Sequence, residues 1–418
     1  MRAAISTQRS RNAESGVTTQ ARLDRISRAP RKPLWAVTIW DKKFNSVVPG
    51  KQKTAIKYHY LLAGDLKDKI VSGGNVKLLT TSETDWWTTE DKVAGLVSEG
   101  EIVSIPWGGN PNVQYFKGRF VTADNRIATS SDKFVLDNKF LYYFMLAKKN
   151  TIGSFYRGAG LKHPEMAKVL DMEIPLPDIE SQRSFAGCMD RLARVVSVRK
   201  SQLESLSQLV KSRFVEMFGG FGNLKHLPIC RVGEVIDAID PHPSHRTPPT
   251  VKEGVPYVGV AECDRETGTI KFDRARIVAQ EVLDEHKSRY AIEQGDFLIG
   301  KIGTIGKPFF LPSNQTYVLS ANTVLVKPRR SLVEPQFLKI QFENQFIEHQ
   351  IASNAKSTSQ PAFGMNKVRD LRMLNPPLAL QREFAAFVAK VDKLAFAARQ
   401  RREVAKQLYR AKIQEFFG

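Results

Sequence analysis

Residues 172–219 return in outline as residues 372–418, and that duplication limits what this chain can fold into more than any other feature. Aligned without gaps at a constant offset of 199, the copies agree at Pro177/Pro376, Gln182/Gln381, Arg183/Arg382, Phe185/Phe384, Ala186/Ala385, Glu204/Glu403, Gln208/Gln407, Leu209/Leu408, Glu216/Glu415, Phe218/Phe417 and Gly219/Gly418. Average composition alone gives roughly two or three such identities over this length. A segment present twice implies an architecture with internal two-fold character.

Each copy opens on prolines, which cannot sit inside a helix, and closes on a glycine suited to a helix end. Between them runs a stretch whose only glycine is Gly187 in the first copy, so each copy predicts one long helix. In the first, Leu192, Val196, Arg199, Leu203, Leu206, Val210, Arg213 and Met217 step by four and three, a heptad seam with two arginine defects. The second puts Val391, Ala395, Ala398, Ala405, Tyr409 and Phe416 on the same line. Seams this narrow, flanked by charge, do not hold a lone helix, and the simplest partner for each is the other. At 1.5 Å per residue, each helix spans ~60 Å.

The segments between the copies also correspond. Residues 33–171 form a first unit, with LWAVTIW (34–40), EIVSIPW (101–107) and RFVTA (119–123) as strands and NKFLYYFMLAKK (138–149) as a helix. Residues 224–371 form a second, with PYVGVA (256–261), DFLIGKIG (296–303) and YVLSANTVLVK (317–327) as strands and EPQFLKIQFENQFIEHQI (334–351) as a helix. EGEIVSIPWGG (99–109) answers QGDFLIGKIGT (294–304) at an offset of 195. ADNRIA answers SANTVL, and NKFLYYF answers PQFLKIQ, both at 197. The basic, small-residue loop RGAGLKHP (157–164) stands where SNAKSTSQPAFG (353–364) stands, and KVLD answers KVRD at 199. The expected order is unit, helix, unit, helix: residues 33–171, 172–223, 224–371 and 372–418.

Charge narrows the function classes. Lys and Arg total 63 against 43 Asp and Glu, a net +20, which is the footprint of a nucleic-acid or anionic-surface binder. Residues 1–32 add a Ser/Thr-rich basic segment, expected to be flexible, whose composition suits a DNA binder and also an organelle transit peptide. No apolar run approaches 18 residues, so no membrane partner is expected. Cys188, Cys230 and Cys263 are odd in number, widely spaced and never in CxxC, which reads as a reduced, cytoplasmic chain without a disulfide frame or zinc site.

These residues resemble the specificity subunit of Type I restriction–modification systems. The marks are the P-x4-Q pairs (Pro177/Gln182 and Pro376/Gln381), the helix-closing EMFG and EFFG, GDFLIGKIGTIG (295–306) and the STSQPAFG loop (357–364). The first unit departs from the pattern with IPWGGN and RGAGLKHP in the corresponding places. The resemblance implies an α+β fold: two similar α/β target-recognition domains separated by two long antiparallel coiled-coil helices, related by a pseudo-two-fold internal repeat. It further implies a non-catalytic subunit that binds double-stranded DNA and docks two methylation subunits, and restriction subunits in the full complex. No cofactor is expected in this chain; S-adenosylmethionine belongs to the partner methylation subunit. Antiparallel helices give the chain a pseudo-two-fold axis matching the antiparallel strands of DNA. The target is then bipartite, with half-sites about one turn, ~34 Å, apart.

Base edges are read by Arg, Lys, Asn and Gln, and phosphates by Lys, Ser, Thr and backbone N–H groups, so the candidate DNA-contacting residues are polar groups on loops beside each predicted sheet. In the first unit these are Lys117, Arg126, Arg157, Lys162 and His163. In the second they are Lys287, Ser288, Arg289, Lys301, Lys307, Lys356, Ser357, Thr358, Ser359 and Gln360. Gly300, Gly303 and Gly306 read as turn and packing glycines.

Three enzyme-like signals compete with this reading. GKIGTIGKP (300–308) lacks the Ser or Thr that a phosphate-binding P-loop needs after its lysine. FGGFG (218–222) and NPPL (375–378) approach the motifs of a self-sufficient DNA amino-methyltransferase. However, FGGFG follows a predicted helix instead of a strand, and Leu378 lacks the ring that stacks on a flipped base. His242 and His245 stand in a proline-rich loop without the further Cys or His a metal needs. Catalytic, cofactor and metal residues are therefore expected to be absent.

Overall fold

The computed structural model describes residues 29–41, 55–82, 84–220, 227–242, 246–302, 305–355 and 363–418. The two duplicated segments form helices of equal length, Ile179–Phe218 and Leu378–Phe417, each of 40 residues. Their first and last residues stand 199 apart, the offset of the sequence repeat. Asp178 caps the first, its carboxylate accepting the Ser181 N–H at 2.8 Å. The second starts directly after Pro377, whose carbonyl accepts the Leu380 N–H at 2.9 Å. Gly219, at φ +90°, closes the first helix in the left-handed conformation that suits glycine. The stretches just before the helices, Glu173–Pro175 and Arg372–Leu374, are short strands.

All eight predicted seam positions of the first helix, from Leu192 to Met217, are half-buried in a stretch where most other side chains are exposed. On the second helix Val391, Ala395, Ala398, Ala405 and Phe416 are buried and Tyr409 is half-buried.

By contact the chain divides into two compact units, Met1–Ser197 with Glu403–Gly418, and Val198–Arg402. In the first, Arg31–Pro33 pairs antiparallel with Glu173–Pro175, tying the start of the segment to its end. A helical turn, Leu34–Val37, and a strand, Thr38–Asp41, follow. The alternating stretch 34–40 is thus only half strand, because Leu34 and Val37, three apart, bury together on one face of a turn. The sheet has seven strands in the order Ala55–Ile56, Thr38–Asp41, Asn125–Ser130, Ser98–Pro106, Gln114–Thr122, Val76–Leu79, Trp86–Thr88. Helix Asn138–Ala147 packs Phe140, Leu141, Phe144 and Met145 into the core, and Asp137 caps it.

The second unit repeats the start: Ile229–Arg231 pairs with Arg372–Leu374, a turn spans Val232–Val235, and strand Ile236–Ile239 pairs antiparallel with Thr323–Pro328. Thr323–Pro328 pairs in turn with Phe297–Gly300, as Asn125–Ser130 pairs with Ser98–Pro106. Beyond this shared core the units differ. The second has a four-stranded sheet, a separate three-stranded sheet around Val255–Val258 and a small hairpin, Cys263–Asp264 with Thr269–Ile270. The expected strand 317–327 is two, Val318–Leu319 and Thr323–Pro328, in different sheets, and 256–261 is extended only to Val258. The expected helix 334–351 is likewise two, Pro335–Phe342 and Gln345–Ala355, broken where Asn344 accepts the Phe346 N–H at 3.0 Å. Helix Gln280–Lys287, with buried Leu283 and His286, was not foreseen.

Each unit packs its domain helix on the ends of both long helices through three phenylalanines. In the first, Phe140 meets Phe185 at 5.6 Å and Phe417 at 5.1 Å, with Phe185 and Phe417 5.3 Å apart. In the second, Phe337 meets Phe384 at 6.2 Å and Phe218 at 5.2 Å, with Phe384 and Phe218 5.5 Å apart. These are edge-on or tilted contacts of the kind the ring quadrupole favours. Within each unit the pairing runs antiparallel. Phe185 faces Phe416 while Asp190 lies near Tyr409, and Phe218 faces Phe384 while the Arg213 guanidinium stands 5.9 Å from the centre of the Phe387 ring.

Candidate nucleic-acid interface

The paired glutamines of the P-x4-Q motif act as structural clamps. Gln182 is fully buried; its Oε1 accepts the Asp137 N–H at 3.0 Å, and its Nε2 donates to the carbonyls of Val135 and Pro177 at 2.9 and 2.8 Å. Gln381, also fully buried, repeats this on Glu334 N–H at 2.9 Å and the Pro376 carbonyl at 2.8 Å. Asp137 and Glu334 cap the two domain helices, so each glutamine locks a domain helix to the first turn of a long one.

In the first unit two loops meet beyond the end of the central strand Ser98–Pro106. The Gly109 N–H donates to the Lys162 carbonyl at 3.1 Å, joining WGGN (107–110) to RGAGLKHP (157–164). His163 Nδ1 donates to the Trp107 carbonyl at 2.8 Å, and the two rings lie 5.0 Å apart. The Arg126 guanidinium stands 5.4 Å from the centre of the Trp107 ring. Tyr156 braces the base of the loop, its hydroxyl donating to the Pro106 carbonyl at 2.6 Å.

Arg126, expected on the surface, is 0% exposed, with Nη2 at 3.4 Å from Asp41 Oδ2. Burial pulls its pKa below the ordinary arginine value, against Asp41, which holds the charge on. The same Asp41 oxygen accepts the Ile127 N–H at 2.6 Å. Arg126 is therefore an internal post under Trp107. Arg157 and Lys162 are exposed, Arg157 with Nε at 3.0 Å from Glu165; His163 is half-buried under the loop. Lys117 is exposed but stands apart, on strand Gln114–Thr122 opposite Glu101.

The second unit builds its counterpart around Asp240, just past the end of the corresponding strand. Lys301, expected at the surface, is 8% exposed; its Nζ stands 2.7 Å from Asp240 Oδ2 and donates to the Ala321 carbonyl at 3.0 Å. Arg289 donates to the Asp240 carbonyl at 3.2 Å, which brings two of the sequence candidates onto one acid. Asp240 Oδ1 accepts the His242 N–H at 3.1 Å, and His242 Nδ1 lies 3.3 Å from His286 Nε2. The Tyr290 hydroxyl stands 2.9 Å from His286 Nδ1. Burial, and then His242, push His286 down to about 4. Lys287 ends helix Gln280–Lys287 with its side chain exposed, and Ser288 turns its hydroxyl back to the Glu285 carbonyl at 2.7 Å. Lys307 is ion-paired with Glu348. The Phe363 N–H donates to the Lys301 carbonyl at 2.8 Å, so here too the two loops are tied. Lys356, Ser357, Thr358, Ser359 and Gln360 lie outside the described residues, as do Gly303 and His245. Gly306, at φ +70° and tight against Ile351, is a packing glycine.

Asp41, Asp240, Trp107 and the His286 network were missed. The available signal was an acid closing an apolar strand, as in TIWD (38–41) and VIDAID (235–240), which marks a buried charge wanting a partner. Of the two methyltransferase-like motifs, FGGFG is described only as far as Gly220. Phe218 is a core residue at a helix end, and Asn375 is spent on the turn before Leu378, accepting Gln381 Nε2 at 3.2 Å. Among the described residues no group of three or more His, Cys, Asp or Glu is arranged to hold a metal, and no helix is long and apolar enough to cross a membrane.

Known proteins resemble this chain. The family described as Type I restriction modification DNA specificity domain matches residues 57–208 and again 252–406. A Haemophilus influenzae protein described as a type I restriction enzyme specificity subunit is 26% identical over 314 residues, which is 73% of this chain and 78% of that one. The MjaVIII specificity subunit of Methanocaldococcus jannaschii is 22% identical over 142 residues, covering 34% of this chain and 33% of its own. The crystal structure of the S subunit of a Type I restriction–modification system from M. genitalium aligns with a TM-score of 0.60 at 14% identity, over 93% of this chain and 96% of that one, and so shares the fold. With two matches that together span most of its length, this chain belongs to the Type I restriction modification DNA specificity domain family.

Proposed function

We propose that the chain is the DNA sequence-specificity subunit of a Type I restriction–modification enzyme, reading a bipartite target and docking two methylation subunits, with restriction subunits joining in the full complex. The observation that carries this reading is that one construction is made twice. A domain helix is clamped by a buried glutamine and three phenylalanines to the ends of the same two helices, first by Gln182, Phe140, Phe185 and Phe417, then by Gln381, Phe337, Phe384 and Phe218. A chain that repeats its own frame offers a repeated surface, and two copies of one partner satisfy it.

Residues 33–171 and 224–371 are the two target-recognition domains, residues 172–223 and 372–418 carry the long helices, and residues 1–32 are a basic segment. The subunit acts in the cytoplasm without catalysis of its own. S-adenosylmethionine and the methyl transfer belong to the partner. Its own residues supply phosphate contacts from Arg157, Lys162 and Lys287, and from residues 356–360, with Lys301 and Arg126 holding the tied loops in place from beneath.

Methylome sequencing of a host expressing the chain with its methylation subunit tests the reading, which requires one split motif with unread base pairs between its halves. Native mass spectrometry at saturation is expected to give one of these chains to two methylation subunits, and a limiting one-to-one complex contradicts the docking claim. Binding of S-adenosylmethionine by the isolated chain would favour a self-sufficient methyltransferase instead.

A further inference from the structure

Among the described residues of its tied loops, each head presents one large aliphatic side chain to solvent. In the first it is Leu161, 63% exposed; in the second, Ile302, 48% exposed. Single exposed apolar residues are ordinary on protein surfaces, and exposure alone means little. What sets these two apart is how they are held.

Leu161 lies across the backbone of Gly108, where an added Cβ would stand 2.9 Å from its Cδ2. The turn that carries it needs Gly158, at φ +141°, where a Cβ would fall 2.6 Å from the Leu161 carbonyl. The next residue is tied through its carbonyl to Gly109. Glycines at 108 and 158 thus fix a leucine in water, forgoing most of the stabilisation its burial would bring.

Ile302 follows a residue pinned at three points. The Lys301 N–H donates to Asn322, its carbonyl accepts from Phe363, both at 2.8 Å, and its ammonium is held by Asp240. At the offset of 195 that relates these loops, Ile302 corresponds to Trp107. In the first head that ring is drawn down onto His163 and Arg126, and Leu161 from the other loop takes the outward place.

We propose that Leu161 and Ile302 are base-reading residues, each contacting the 5-methyl group of a thymine in the major groove of its own half-site. The inference rests on the specificity-subunit reading above. The major groove distinguishes thymine by that methyl, which apolar side chains contact, while nearby cations such as Lys162 hold the phosphates.

The test uses the full chain in complex with its methylation subunit, binding duplexes that carry the motif found by methylome sequencing. Each thymine is replaced singly by deoxyuridine, which removes only the methyl. The wild-type complex is expected to lose about three- to fivefold in affinity at one position in each half-site, the worth of one buried methyl. Leu161→Ala is expected to bind about that much more weakly and to become indifferent to deoxyuridine in the first half-site only. Ile302→Ala does the same in the second, and Leu161→Met keeps the sensitivity. Both side chains are exposed, so thermal melting serves as the control and is expected to be unchanged. If no thymine position responds, or if Leu161→Ala and Ile302→Ala keep the wild-type response, the proposal is overturned. If the wild-type complex shows no preference for any motif, the specificity-subunit reading fails first, and that result is distinct.

Discussion

The ring of Phe185 stands edge-on to that of Phe417, centroids 5.3 Å apart and planes at 82°, and the sequence repeat maps this pair onto Phe384 and Phe218, 5.5 Å apart at 75°. One contact is thus made twice, each time joining the start of one long helix to the end of the other. Phe185→Ala and Phe384→Ala should therefore behave alike, each costing about 3–5 kcal/mol through the cavity left in its own unit. Hydrogen exchange checks this: Phe185→Ala should loosen helix Asn138–Ala147 and leave Pro335–Phe342 protected, with the reverse for Phe384→Ala.

Gln182→Glu replaces an amide that donates and accepts with a carboxylate that only accepts. The carbonyls of Val135 and Pro177 lose their donor while a charge is buried. Unmet buried groups of this kind cost about 1–3 kcal/mol each, more for a charge. Chemical denaturation should show Gln182→Glu to be more damaging than Gln182→Met, which fills the same space without charge. Equal effects would mean that the amide bonds contribute little.

Asp41→Asn leaves the Arg126 charge buried without its counter-ion, a change expected to cost about 3–5 kcal/mol. Arg126→Met should destabilise the first unit and yet leave the slope of log affinity against log salt unchanged for non-specific DNA, because a buried guanidinium releases no counter-ions. Lys162→Ala should reduce that slope by about one and leave the unfolding midpoint alone. Salt titration of both variants separates a post from a phosphate contact.

The buried imidazole of His286 makes the second unit acid-sensitive. The unfolded chain takes up the His286 proton as pH falls through about 6.5, whereas the folded ring stays neutral until about 4. Stability is therefore whole above pH 6.5 and is lost as pH falls toward 4, by on the order of 3 kcal/mol in the limit. Urea unfolding at pH 7.5 and 4.5 should show this loss in the wild type and a smaller one in His286→Gln. An equal pH dependence in both would place the effect elsewhere.

Much of the candidate site was legible as residue type and little of it as depth. The loops WGGN and RGAGLKHP were matched with their counterparts from spacing, and the structure ties them together. Yet Arg126 and Lys301, chosen as surface cations beside Arg157 and Lys162, are interior ones. Nothing local distinguishes a lysine that meets water from one that meets Asp240. The strand-like stretch 34–40 and the single helix 334–351 misread for a related reason. Periodicity reports which residues want burial, and a turn or a side-chain cap at Asn344 decides how the backbone delivers them.

By itself, the sequence determined that the chain is duplicated and helix-linked. A gapless offset of 199 and a seam stepping by four and three are properties of order along the chain, and helices obey local order. The tertiary structure decided which charges are internal, that the P-x4-Q glutamines clamp the domain helices, and that Leu161 and Ile302 face outward. Each of these depends on which atoms arrive from distant parts of the chain, and burial, pairing and exposure exist only once they have arrived.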